Sequence, residues 1–379
     1  MIIILILLAI VSLIGIGFHP EFRKDYLSKE QSTAVKGIFA IIILCSHTSQ
    51  YVVLTDSLLD SGFNWIIQYL GQTMVAVFFF YSGFGIRESV RLKEGYSKTF
   101  FKKRVLKTLL HFDIAVLLFI LVQLPIHETY PLKNYLLCWI GWESVGNSNW
   151  FIFVILALYV GTCVVLRIKD KIATSFDYFI SLCTWILSLA LWLFLFKTHR
   201  QAPWWYNTLI TFPLGMCWSE LRDKIIDAKL SNNIVWVIIT LISLVLYAGL
   251  HKAVGVGNSG IVSCLFCIAI TMLSMHIAIG NPVLAWLGKN AFAIYILQRI
   301  PMIVLAHFGL QDNPAVFVPV VFASTFILAG MFTGIELFKG YHCSKSSKNC
   351  IIRPIDNARR FPSRKLLLAV SRSSFAVSS

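Results

Sequence analysis

The run from Lys36 to His47, Lys-Gly-Ile-Phe-Ala-Ile-Ile-Ile-Leu-Cys-Ser-His, opens on a basic residue and closes on an imidazole eleven positions later. At about 100° and 1.5 Å per residue, a helix returns the histidine to within roughly 20° of the lysine's face and carries it roughly 16 Å along the axis. Imidazole exchanges protons near neutrality, and an ionisable ring at that depth needs a partner, a cavity or a task. The plain alternative is a histidine hydrogen-bonded to a neighbouring helix. Two further groups carry chemistry. Ser82, Gly83, Phe84 and Gly85 form a cluster fit for close approach of a helix or a ligand, and Arg87, Arg91, Lys93, Lys98, Lys102, Lys103, Arg104 and Lys107 follow at once. These cations either face anionic lipid headgroups or, in part, hold a polyanion. Late in the chain Tyr295, Gln298 and Arg299 interrupt an apolar run just before Pro301. A guanidinium at that depth implies a buried partner or an anionic ligand.

The elements that must position these residues are membrane helices. Of 379 residues 57% are hydrophobic and 13% charged, and the mean hydropathy is +0.75. Repeated apolar runs long enough to cross a bilayer exclude a soluble protein and predict an all-α, polytopic bundle of ten or eleven transmembrane helices. The expected spans lie near 2–18, 37–55, 65–86, 108–126, 149–166, 176–196, 204–220, 233–250, 260–280, 290–308 and 315–338. The first, lacking both a basic start and a small-residue cleavage site, reads as a retained helix. Of the 33 Lys and Arg, 28 fall in connections on one side, four on the other, and Arg299 within a span. The positive-inside rule then puts the N-terminus outside and the C-terminus in the cytoplasm. The formal net charge of +15 is accordingly a topology signal that meets membrane lipid, and no nucleic acid is expected.

The polar cluster from Cys45 to Gln50 requires that the outer half of the Lys36 helix line a cavity or a protein interior. The connection from His127 to Ser148 carries Tyr130, Tyr135, Trp139 and Trp142, an interfacial belt or a stacking surface for sugar rings, and Trp150 opens the next span. The nine cysteines follow no disulfide framework; Cys264-x-x-Cys267 reads as packing, and no metal site is expected. From Tyr341 the composition turns to Ser, Lys and Arg, so residues 1–340 are expected to form the membrane domain and 341–379 a basic, disordered tail.

Over residues 30–338 the sequence resembles acyltransferase family 3, integral-membrane enzymes that O-acylate cell-surface glycans. Lys36 and His47 match its basic-x10-His motif. Phe79, Phe80, Ser82, Gly83 and Phe84 match Phe-Phe-x-Ser-Gly-Phe, Lys103, Arg104 and Lys107 a basic segment, and Leu287, Gly288, Lys289, Phe292, Ile294 and Tyr295 a late motif. Three positions depart: Lys36 stands where Arg is frequent, Ala291 where Ser is, and Gln298 where His is, so no catalytic role passes to Ala291 or Gln298. The resemblance implies a bacterial inner-membrane enzyme with an acyl-CoA donor, most often acetyl-CoA, used from the cytoplasm. It implies no tightly bound cofactor, and an acceptor hydroxyl on a polysaccharide or lipid-linked glycan. On that reading His47 is the general base, with Lys36 beside it in the catalytic motif. Lys36, Arg104, Lys107 and Arg87 meet the phosphates of coenzyme A; Ser82, Gly83, Phe84, Trp150, Tyr295 and Arg299 serve substrate or motif roles, with Arg299, Tyr295 or Ser46 facing the oxyanion, and transient acylation of His47 or of a group near it is the alternative route. Composition alone also accommodates a transporter or flippase for a lipid-linked sugar, although no inverted repeat is visible.

Overall fold

The computed structural model describes residues 1–54, 57–172, 176, 178–200, 202–227, 233–254 and 260–346. Residues Met1–Gly334 form one compact unit and Ile335–Ser379 a second. Helices occur at every expected span. In order they are α1 (Ile2–Leu13), α2 (Lys29–Thr48), α3 (Leu58–Leu70), α4 (Thr73–Leu92), α5 (Tyr96–Phe100), α6 (Lys107–Gln123), the short α7 (Leu132–Leu137), α8 (Trp150–Ile172), α9 (Phe179–Thr198), α10 (Thr211–Asp227), α11 (Asn233–Val254), α12 (Gly260–Ser274), α13 (Pro282–Leu297), α14 (Arg299–His307) and α15 (Pro314–Ser346). Among the described residues six spans are long and apolar enough to cross a bilayer alone, and the bent pair α13–α14 makes a seventh. The other four expected spans are also helices. Of these, α1 and α12 are short, while α2 and α10 carry polar side chains that protein, rather than lipid, covers.

Three of the departures from the hydropathy reading have a clear local reason. Helix α2 begins at Lys29 rather than near residue 37, because the Ser28 hydroxyl caps it by accepting the Gln31 N–H at 3.2 Å. Lys36 therefore lies in the second turn rather than at the rim of the helix. The span expected at 65–86 is two helices, α3 and α4, parted at Gly71, whose φ of 42° lies in the left-handed region. The span expected at 290–308 is broken at Gln298, with a bend of 47° between α13 and α14. Pro301 has no N–H for the Leu297 carbonyl, four residues upstream, and its ring crowds that carbonyl, which places the break directly after Leu297. At the other end of the chain α15 continues to Ser346, so the first residues of the expected tail extend a helix. Residues 347–379 lie outside the described residues.

Two close helix pairs set the frame. Helices α2 and α13 run parallel and touch through glycines: a Cβ on Gly288 would stand 1.8 Å from the Thr33 carbonyl oxygen, and one on Gly37 2.5 Å from that of Leu284. Helices α4 and α10 do the same through Gly83 and Gly215, where an added Cβ would fall 2.0 Å from the Phe212 and Phe80 carbonyls. The start of α2 is tied to the α12–α13 connection by a two-stranded antiparallel pair, Gly17–Phe18 with Ile277–Ala278. Buried Gln31 adds to that tie, donating to the Ile277 carbonyl at 3.0 Å and accepting the Ile279 N–H at 2.9 Å.

Candidate active site

Parallel packing at Gly37 and Gly288 fixes what meets further along. Ten residues beyond each glycine, about 15 Å up both helices, α2 presents His47 and the end of α13 presents Gln298. The Gln298 amide nitrogen lies 2.8 Å from His47 Nδ1 and also donates to the Tyr295 carbonyl at 3.2 Å. Gln298 is fully buried. The His47 ring is half-buried, 6.3 Å from the Tyr295 ring, and so is held within protein instead of facing lipid.

Gln298 and Tyr295 are also the floor of a cavity of about 810 Å³ between α2, α4, α8 and α13, within the usual range for small-molecule sites. Its walls are apolar and aromatic, with Ile43, Val75, Phe78, Phe151 and Ile155 among them. Ser82 and Tyr159 stand on the wall with their hydroxyls 2.6 Å apart. The Tyr81 hydroxyl and the Gln298 carbonyl oxygen, both on residues that line the cavity, are buried polar atoms with no hydrogen-bond partner among the described residues. Buried polar groups are usually paired, so these two are candidates to meet a bound molecule.

The opposite end of the cavity is basic. Lys29, Lys36, Lys93, Arg104 and Lys289 line it, and among the described residues none has a carboxylate partner. Arg104 is aimed by a π-helical turn, Phe101–Leu106, which re-registers the chain between α5 and α6, and its Nε donates to the Tyr96 hydroxyl at 3.2 Å. The acids at this mouth are already engaged: Glu88 accepts from Ser219 at 2.7 Å and pairs with Arg91 and Arg222 at 3.2 Å. The free charge of the mouth is therefore positive and faces an 810 Å³ space that narrows onto Gln298 and, behind it, His47.

The structure sorts the residues singled out in the sequence. Lys36, Arg104, Ser82, Phe84 and Tyr295 line the cavity. His47 reaches it only through Gln298. Arg87, expected to meet phosphate, instead pairs with Glu220 at 2.7 Å, with side-chain exposures of 10% and 3%, and joins α4 to α10. In sequence Arg87 reads as one more cation of a basic segment, whereas its helix face turns it inward onto Glu220. Lys107 and Gly83 are not among the lining residues; Gly83 serves the α4–α10 contact. Trp150 stands behind the wall, edge-on to Phe151 at 6.1 Å. Arg299, whose partner was open, donates from Nε to the Ser148 hydroxyl at 3.0 Å and from Nη2 to the Gln50 carbonyl at 2.6 Å. Sequence reasoning missed the roles of Gln298, Tyr81 and Lys289. The signal for Gln298 was present, since an amide beside a guanidinium in an apolar helix needs a partner.

A family model described as an acyltransferase domain, that of acyltransferase family 3, matches residues 31–334. No curated protein and no solved structure matches.

Proposed function

Because the chain belongs to acyltransferase family 3 and is an integral membrane acyltransferase, we propose that it moves an acetyl group from cytoplasmic acetyl-CoA to a hydroxyl of a polysaccharide or lipid-linked glycan. The observation that carries this reading is a cavity whose basic mouth, where Asp25 and Glu88 are already paired with Arg23, Arg91 and Arg222, leads to Gln298, which in turn contacts His47. Lys36, Arg104 and Lys289 suit the pyrophosphate and 3′-phosphate of coenzyme A, and the apolar walls suit an extended pantetheine arm that carries the thioester inward. The positive-inside rule makes that mouth cytoplasmic in a bacterial inner membrane, with the acceptor approaching from the His47 side.

In the transfer, His47 takes the proton of the acceptor hydroxyl as its oxygen attacks the thioester carbonyl. The new C–O bond forms, the C–S bond breaks, and the proton passes to the departing thiolate, leaving an ester and free coenzyme A thiol. For Nε2 to be the base, Nδ1 must bear the ring proton. Gln298 meets that need only if its amide turns over on acceptor binding, giving up its hydrogen bond to the Tyr295 carbonyl so that its own oxygen accepts from Nδ1–H. Tyr295, on the cavity floor, is placed to donate to the thioester oxygen as it gains charge. The test is acetyl transfer from labelled acetyl-CoA by membranes carrying His47→Ala at wild-type abundance. Loss of transfer with donor binding retained is the expected result; normal transfer would remove the proposed role of His47.

A further inference from the structure

We infer that the acceptor carries an acidic group, a carboxylate or phosphate, beside the hydroxyl that is acylated, and that Arg299 receives it; this rests on the acyltransferase reading above. A guanidinium has five N–H donors. In Arg299 one edge is used, Nε on Ser148 and Nη2 on Gln50, and both partners are uncharged. Among the described residues Arg299 has no ion pair, and the Nη1 amino group has no acceptor. The Nη1–Nη2 end, the fork that meets a carboxylate or phosphate with two parallel hydrogen bonds, is left open.

A clamp between α2, α14 and the loop before α8 requires donors but no charge. An amide side chain would supply them without drawing a permanent cation out of water. The charge is therefore unexplained by the contacts the protein makes. Its position gives it a use. Arg299 directly follows Gln298, which holds His47, and Gln50, its other partner, is exposed, so the open fork lies beside the proposed base on the side away from the basic cavity. Asn147, beside Ser148 in the same loop, adds a buried amide nitrogen with no partner. An acceptor anchored there by its acid presents a neighbouring hydroxyl to His47, while the donor arrives from the opposite end.

The full chain purified in a phosphate-free maltoside detergent tests this with three probes: a tetrasaccharide containing glucuronic acid, its carboxyl-reduced neutral counterpart, and the neutral sugar bearing one phosphate. Wild type is expected to bind both acidic probes at least 10-fold tighter than the neutral one. Arg299→Gln should bring all three within about twofold, leaving the neutral probe unchanged, and Arg299→Lys should keep part of the preference. Absent or equal binding of the three by wild type, or an Arg299→Gln effect that is the same for all, would overturn the inference. Loss of the preference in nanodiscs of anionic lipid, but not of zwitterionic lipid, would assign the fork to a headgroup and overturn it too. Preferential acid binding without acetyl transfer to any probe would sink the acyltransferase reading while leaving the anion site standing.

Discussion

Gln298 stands where two sites meet, its amide on His47 and its side chain on the cavity floor. It touches the base and holds its orientation, so its removal should act on the chemical step. Gln298→Ala is expected to lower kcat by about 10- to 100-fold, the scale on which small misplacements of a reacting group act. The apparent binding constant for acetyl-CoA should stay within about twofold. Steady-state kinetics over a range of donor concentrations separates the two, and a raised binding constant with unchanged kcat would assign Gln298 to the donor instead. The mouth makes the opposite prediction. Among the described residues Arg104 and Lys36 have no carboxylate partner, and on the proposed function Arg104→Gln or Lys36→Gln removes a charge-assisted contact to the donor worth about 1.5–3 kcal/mol. The donor's binding constant should rise by about 10-fold or more, read by direct binding of labelled acetyl-CoA.

At the scale of elements, the register that brings His47 to Gln298 depends on glycine contact between α2 and α13. Gly288→Ala would place a methyl 1.8 Å from a backbone carbonyl that cannot turn aside. The helices must then part, at a cost of about 1–3 kcal/mol. Gly249→Ala on α11 meets nothing within 4 Å and should be neutral or slightly stabilising. Thermal unfolding of the purified pair in detergent checks this: equal midpoints would mean that the glycine contact is not what joins the helices. The α4–α10 pair depends on charge as well. Arg87→Gln leaves Glu220 buried and uncompensated, which typically costs about 3–5 kcal/mol. Folded yield should fall while donor binding per folded molecule is unchanged. A weakened donor affinity at full yield would return Arg87 to the phosphate site.

For the whole molecule, the proposed function requires that the basic mouth of the cavity and the His47 side of Gln298 face opposite sides of the membrane. A cysteine at Lys102, in the basic segment, should react with a membrane-impermeant thiol reagent only after the membrane is opened; one at Lys133, in the aromatic connection, should react in intact cells. The reverse pattern would invert donor and acceptor sides. Much of this was legible without coordinates. Apolar run length reports on helices because a bilayer leaves backbone no other partner, whereas the charge of alternate connections gives an expected sidedness that the labelling tests. The order of Lys36, His47, Ser82-Gly83-Phe84 and Leu287–Tyr295 named the family, because each motif is local. The amino-acid sequence by itself thus determined the membrane helices and the family. Which cations face the cavity, which one is consumed by Glu220, and that Gln298 rather than a charged residue holds His47 were decided only by tertiary structure. Those facts depend on helix rotation and on contacts between residues more than a hundred positions apart, set by glycines whose partners no local spacing reveals.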